Sequence, residues 1–235
     1  GQLTGDVVAQ ATVAGADYNG FTPGQIATIV DPVAYVASVQ NMDTSSGGAD
    51  VESDDALRER GRLAPASFST AGPAKAYEYW AKSADSTIAD VAIASPSPGA
   101  VSIYVLLTGG QLPAQDVLDK VSAVVNDRYR RPLTDNVTVL APTTVTYDIS
   151  LTYYISQERI TEEAAIKAAV EAAVIEYTKW QSAKLGRAIN PDYLRQLMLN
   201  AGASRITLTS PSYTLVGGNS VAIASEPVIN YGGLE

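Results

Sequence analysis

The chain has 235 residues, 46% of them hydrophobic, a net charge of −9, and neither His nor Cys. Thiol, disulfide and zinc-knuckle chemistry is excluded, as are imidazole metal ligands and any Ser-His-Asp triad. With 16 basic residues against 25 acidic ones, the chain is a poor binder of nucleic acid or an anionic membrane, and no apolar run nears the roughly 20 residues of a membrane-spanning helix. No signal-peptide layout opens the sequence.

Residues 1–50 are rich in Gly, Thr and Asp and predict a small β-rich region. Val7, Ala9, Ala11 and Val13 alternate with mostly polar neighbours, the period of a strand. Ile26 to Val30 and Val33 to Val39 are further β-prone runs, split by Asp31-Pro32 because proline cannot donate to a ladder. Asn41 to Asp50 predicts an exposed loop. Gly15, Gly20 and Gly24 are turn glycines, since no helix follows them as a phosphate-binding loop requires.

Residues 51–142 predict an α+β domain ordered helix, hairpin, helix, strand. Ser53 is a good N-cap, with Asp54 and Asp55 in the first turn and Arg58, Arg60 and Arg62 following. After a break over Pro65 to Thr70, Gly72-Pro73 opens a second helix with Ala76, Tyr77, Trp80 and Ala81 on one face. Val91 and Ile93, the turn Pro96-Ser97-Pro98-Gly99, and Val101, Ile103, Val105 and Leu107 make a hairpin. A helix from Pro113 turns Val117, Leu118, Val121, Val124 and Val125 inward, and Val137 to Leu140 is a strand. Arg128-Tyr129-Arg130-Arg131 suits a solvated helix end, where cations complement the dipole.

Residues 143–235 predict strand, helix, helix, hairpin. Val145 to Ile155 alternates over its whole length, with Val145, Tyr147, Ile149, Leu151, Tyr153 and Ile155 on one face. Thr161 to Leu185 is the longest helix, ended by Gly186 and striped by Ile166, Val170, Val174, Tyr177 and Trp180. Asn190-Pro191 starts another, stopped at Asn200-Ala201-Gly202, and strands follow at Arg205 to Ser210 and Val221 to Ile229. Helix, strand, Ser-Pro, strand occurs twice, at Tyr77–Leu107 and Tyr193–Ile223. The expected architecture is α+β: two small mixed sheets, each covered by helices, preceded by the β-rich N-terminal region.

The acids Asp50, Glu52, Asp54 and Asp55 could hold Ca²⁺ or Mg²⁺, but lack a calcium loop's spacing and suit helix capping better. Glu158, Glu162 and Glu163 share one helix start, whereas glycan hydrolysis needs two carboxylates facing across a cleft. Thirteen tyrosines against two phenylalanines hint at subunit contact, because tyrosine is enriched at interfaces. Tyr153 and Tyr154 put one ring on each face of the long strand and are the candidate interface pair.

Several stretches resemble the baseplate J-like family of contractile-tailed phages and related bacteriocins. They are Gly47-Gly48-Ala49-Asp50-Val51-Glu52-Ser53-Asp54-Asp55-Ala56-Leu57-Arg58-Glu59-Arg60, Leu63-Ala64-Pro65 with Phe68 to Pro73, and Ala76 to Ala81 including Trp80. Ala89-Asp90-Val91 with Ser95 to Gly99, Arg131-Pro132-Leu133-Thr134-Asp135, Trp180-Gln181, Leu185-Gly186-Arg187 and Pro23 to Pro32 also fit, in order. Gly47, Gly48, Asp50, Glu52, Asp54, Arg58, Arg60, Gly72, Pro73, Trp80, Arg131 and Pro132 are signature positions with structural roles. The family's section ahead of Gly1 is absent, so a fragment is expected, and Leu234-Glu235 carries no weight. The resemblance implies a non-enzymatic wedge subunit with no cofactor, metal or catalytic residue. Its partners would be other wedge proteins and copies of itself in a sixfold ring around the hub, without nucleic acid or membrane insertion. It would sit in the virion tail baseplate, and in host cytoplasm during assembly. A carboxylate-dependent cell-wall glycan hydrolase and a carbohydrate- or receptor-binding module are the alternatives.

Overall fold

A computed structural model describes residues 4–13, 15–48, 50, 52–68 and 73–235. The chain divides into two compact units, Gly1–Arg58 and Glu59–Glu235.

The first unit contains no strand among its described residues, which corrects the expected β-rich region. Val7–Val13, Ile26–Val30 and Val33–Val39 are open backbone, with one 3-10 turn at Ala16–Tyr18. At the start of the Ile26 run the reason lies in who supplies the hydrogen bonds. Gly24 and Asn41 pair through the backbone (2.9 Å, and 3.1 Å from Asn41 N–H to the Ile26 carbonyl). The next rung is taken by a side chain: the Ile26 N–H donates to Asn41 Oδ1 at 2.9 Å. Asn41 Nδ2 then donates to the carbonyls of Phe21, Thr22 and Asp43. Local side-chain bonds of this kind displace ladder bonds.

In the second unit the α+β expectation holds. Helix α1 (Asp54–Leu63) begins as predicted, with Ser53 Oγ accepting the Ala56 N–H at 3.2 Å. Helix α2 spans Ala74–Ala84, with Pro73 at the N-cap rather than inside the first turn. Strands β1 (Ile88–Ala94) and β2 (Ala100–Leu107) form the predicted antiparallel hairpin, and α3 (Gln115–Val125) leads to β3 (Asn136–Leu140), parallel to β2. Tyr77, Ala81, Val117, Val121 and Val125 from the two helices meet Val91, Ile103, Val105 and Val137 in one core.

The predicted strand Val145–Ile155 is two strands, β4 (Thr143–Tyr147) and β5 (Ser150–Ile155). Val221–Ile229 likewise splits into β7 (Ser220–Ala224) and β8 (Val228–Leu234). Both breaks have one cause. β4 pairs parallel with β7 and β5 parallel with β8, but the register slips by one residue between them, from Thr143↔Ser220 to Ser150↔Val228. Two residues, Asp148 and Ile149, face three, Ser225 to Pro227, and Pro227 has no N–H to give. The extra residue lies on the partner, so the β4–β5 alternation survives: Tyr147, Ile149, Leu151, Tyr153 and Ile155 are all buried.

The expected terminal hairpin is absent for the same reason. β6 (Arg205–Ser210) pairs antiparallel with β5, giving the order β6-β5-β8, while β7 lies in the two-stranded parallel ladder with β4. The unit therefore has two mixed three-stranded sheets and this ladder. Helices α4 (Glu163–Ser182) and α5 (Pro191–Asn200) cover the second mixed sheet. Helix α4 ends three residues before the expected stop, and a 3-10 turn, Gln157–Glu162, replaces its predicted first turn. Ile166, Val170, Val174 and Tyr177 form its buried stripe, with Leu194 and Met198 from α5. Among the described residues no helix is long and apolar enough to cross a membrane.

The two sheet-and-helix lobes of this unit meet at the C-terminal end of α4. A bulge beside Asp90 turns its carboxylate out of the β1 ladder, and Oδ2 accepts the Leu185 N–H at 2.9 Å. After β2, the Thr108–Gly110 turn brings Gly110 onto Ser182. Arg187 closes the joint: its guanidinium stacks 4.1 Å over Trp180 and donates to the Trp180 carbonyl, and Asp90 offsets the cost of burying its charge.

Candidate interaction sites

The signature segment is a set of fitted turns. Gly47 has φ +85. Gly48 donates its N–H to Asn19 Oδ1 at 2.7 Å, and Asn19 Nδ2 returns a bond to the Gly48 carbonyl at 2.8 Å. A Cβ on Gly48 would lie 2.3 Å from the Gly15 carbonyl oxygen, so only glycine permits this approach. Asp50 Oδ1 accepts the Ala16 N–H at 3.0 Å, and Ser45 Oγ donates to the Tyr18 carbonyl at 2.7 Å. Asn19, Asn41 and Ser45 do most of this knitting. Little in their local sequence marks them, because apart from Asp43 their partners lie 15–29 residues away along the chain.

Asp54 is exposed in the first turn of α1, and Arg58 pairs with Asp55 at 2.6 Å. Glu52 is exposed and Arg60 half-buried. Gly72 lies outside the described residues, as do Ala49 and Val51. Trp80 is half-buried on α2, with Tyr79 edge-on at 4.9 Å and the Arg130 guanidinium 4.2 Å above it. Arg130 also donates to the Val124 carbonyl at 3.3 Å, capping the end of α3 as the sequence predicts.

The motif Arg131 to Asp135 ties a turn to a helix. Asp135 Oδ2 accepts from the Tyr77 hydroxyl at 2.7 Å, Arg131 donates to the Asp135 carbonyl, and the Pro132 carbonyl accepts the Asp135 N–H at 3.2 Å. Burial, then the Asp135 bond, raise the Tyr77 pKa well above its ordinary value. Asp135→Ala strands this hydroxyl in a residue only 4% exposed. It should cost about 1–3 kcal/mol in urea unfolding; a loss under half a kcal/mol would refute the tie.

The acidic groups do not converge. Glu162 pairs with Arg159 and Glu163 with Lys167, each at 2.6 Å. Among the described residues no three acidic side chains are placed to share a metal ion. Tyr153 is a correction. It is 3% exposed and its ring lies 5.5 Å from that of Tyr231, so it offers no surface to a partner. It shares parity with Leu151 and Ile155, which puts it in the core. Tyr154 is half-buried: Arg205 lies 3.7 Å above its ring, which occupies the space a side chain on Gly232 would need.

Three sequence models of one family match the chain in order. Residues 1–48 match the baseplate J-like protein barrel domain, 69–141 the baseplate J-like central domain and 147–226 the baseplate J-like protein C-terminal domain. Baseplate protein J of Escherichia phage P2 is 33% identical over 167 residues, 71% of this chain and 54% of that protein. The chain belongs to the baseplate J-like family. It spans about half the length of that relative. A solved structure titled as the cryo-EM structure of the anti-feeding prophage (AFP) baseplate, 6-fold symmetrised, aligns with 93% of this chain and 52% of its own matching chain. The identity there is 16% and the TM-score 0.48. In this baseplate J-like chain the central-domain match holds the first sheet and its core, and the C-terminal match runs from the end of β4 to just past β7.

Proposed function

We propose that the chain is a structural wedge component of a contractile-tail baseplate, residing in the virion tail and forming part of a multi-copy ring around the hub. Copies of itself and other wedge proteins are its partners, and sheath contraction rearranges their contacts. The observation that carries this reading is the ordered, nearly full-length run of family matches. The lack of His and Cys and the scattering of the acids agree with a protein that acts by fit rather than by turnover. In this reading residues 51–142 and 143–235 are separate docking modules, and many weak contacts are multiplied by repetition around the ring. Mass spectrometry of purified tail particles should find this chain in a copy number that is a multiple of six. Particles that lack it would refute the assignment.

A further inference from the structure

Asn19 is the one asparagine of the sequence that is followed by glycine. Asparagine is thermolabile, and a glycine next to it makes it more so. With no Cβ in the way, the backbone nitrogen of Gly20 can approach the Asn19 carboxamide carbon. Both residues are exposed, so hydroxide and water reach them. The fold nevertheless holds the reacting groups apart. Asn19 is extended, with φ −85 and ψ 156. The Gly20 N–H, whose proton must leave first, donates to the Ser45 carbonyl at 2.8 Å. Gly48 grips the carboxamide at both ends: Asn19 Oδ1 accepts its N–H at 2.7 Å, and Asn19 Nδ2 donates to its carbonyl at 2.8 Å. Gly48 comes this close only because it lacks a Cβ, which would lie 2.3 Å from the Gly15 carbonyl oxygen.

We infer that Asn19 is a modification site latched by Gly48, an asparagine that converts to aspartate or isoaspartate only when residues 15–20 part from residues 45–48. In that step the Gly20 nitrogen gives up its proton and bonds to Asn19 Cγ. The Cγ–Nδ2 bond breaks, and the nitrogen leaves as ammonia with that proton. Water then opens the cyclic imide at either carbonyl. The product has no N–H to give the Gly48 carbonyl and sets a carboxylate against it instead, an unpaired acceptor facing an acceptor. It also adds an acid to residues 1–58, where eight carboxylates already stand against one cation, Arg58. The latch cannot re-form, so a passing local opening becomes a permanent one.

The purified full chain, kept in warm, mildly alkaline buffer with and without urea, gives the test. Peptide mass spectrometry follows the exchange of NH₂ for OH at Asn19. Three hydrogen bonds must part together, so conversion in the native chain should be about a hundredfold slower than in urea. Gly48→Ala removes the two latch bonds and should speed native conversion about thirtyfold. Gly47→Ala carries a left-handed backbone cost at φ +85 but meets open space, and should speed it only about fivefold. Trp80 and Trp180 lie beyond residue 58, so their fluorescence checks separately that the rest of each variant is folded. Where it is not, the urea comparison, which needs no variant, decides alone. Native conversion as fast as in urea, no conversion even in urea, or equal acceleration in the two variants would overturn the inference.

Discussion

Gly110→Ala should lower the unfolding free energy by about 2–5 kcal/mol, while Gly109→Ala next to it should cost only about 1–2 kcal/mol. Both glycines have positive φ, +72 and +76, so alanine pays the left-handed backbone cost at either position. Their surroundings differ. Nothing lies within 4 Å of a Cβ placed on Gly109, whereas a Cβ on Gly110 would sit 2.6 Å from Ser182 Cβ and 3.0 Å from the Ser182 carbonyl oxygen. The obstacle is the last turn of α4, which cannot swing aside like a long side chain. Relief must come from separating the Thr108–Gly110 turn from α4, at the joint that the Asp90–Leu185 bond also holds. Paired urea unfolding curves give the comparison. Equal losses for the two variants would mean that the lobes are not pressed together there.

The elements that repeat a local pattern were legible in the sequence. The first hairpin, the stripes of α3 and α4, the Ser53 and Asn190 caps and the alternation from Tyr147 to Ile155 all follow from spacing alone, since each depends on neighbours in the chain. Pairing was not legible. The split of β4–β5 is caused by Pro227, some 78 residues away, and the exchange of β7 for β8 beside β5 leaves no local trace. The β-prone runs of the first unit show the opposite failure. Their composition suits strands, but a strand also needs a ladder, and at Ile26 the Asn41 side chain takes the ladder position. Composition counts tyrosines without locating them, whereas the parity of Tyr153 places it inward, where it is buried. Asp90 and Arg187 of the joint fall within stretches that carry the family resemblance and Gly110 does not, and the geometry that brings the three together depends on the folded lobes.

The core beneath the second mixed sheet should make the protein sensitive to alkali in a way that two hydroxyl deletions remove. Tyr177 is fully buried, and burial pushes its pKa up to about 12. Tyr147, whose ring meets that of Tyr177 edge-on at 6.4 Å, is raised further, by burial first and by the neighbouring Tyr177 second. An unfolded tyrosine loses its proton near pH 10. Between about pH 10 and 12 the unfolded chain therefore binds fewer protons than the folded one, and stability falls as pH rises. Below pH 10 nothing is lost. Tyr177 alone contributes a decline of about 3 kcal/mol across that interval. Neither hydroxyl has a hydrogen-bond partner in the structure. Removing them should thus cost less than about 1 kcal/mol at pH 7, because no bond is broken and no new polar group is left alone. Tyr177→Phe should move the alkaline unfolding midpoint upward, and Tyr147→Phe with Tyr177→Phe further still. Some decline should persist in the double variant, since Tyr77 remains raised in the other lobe. Trp180, whose ring lies 6.1 Å from Tyr177, gives a local fluorescence signal for this core. If the double variant unfolds at the same alkaline pH as the parent, the buried hydroxyls are not what limits the fold there.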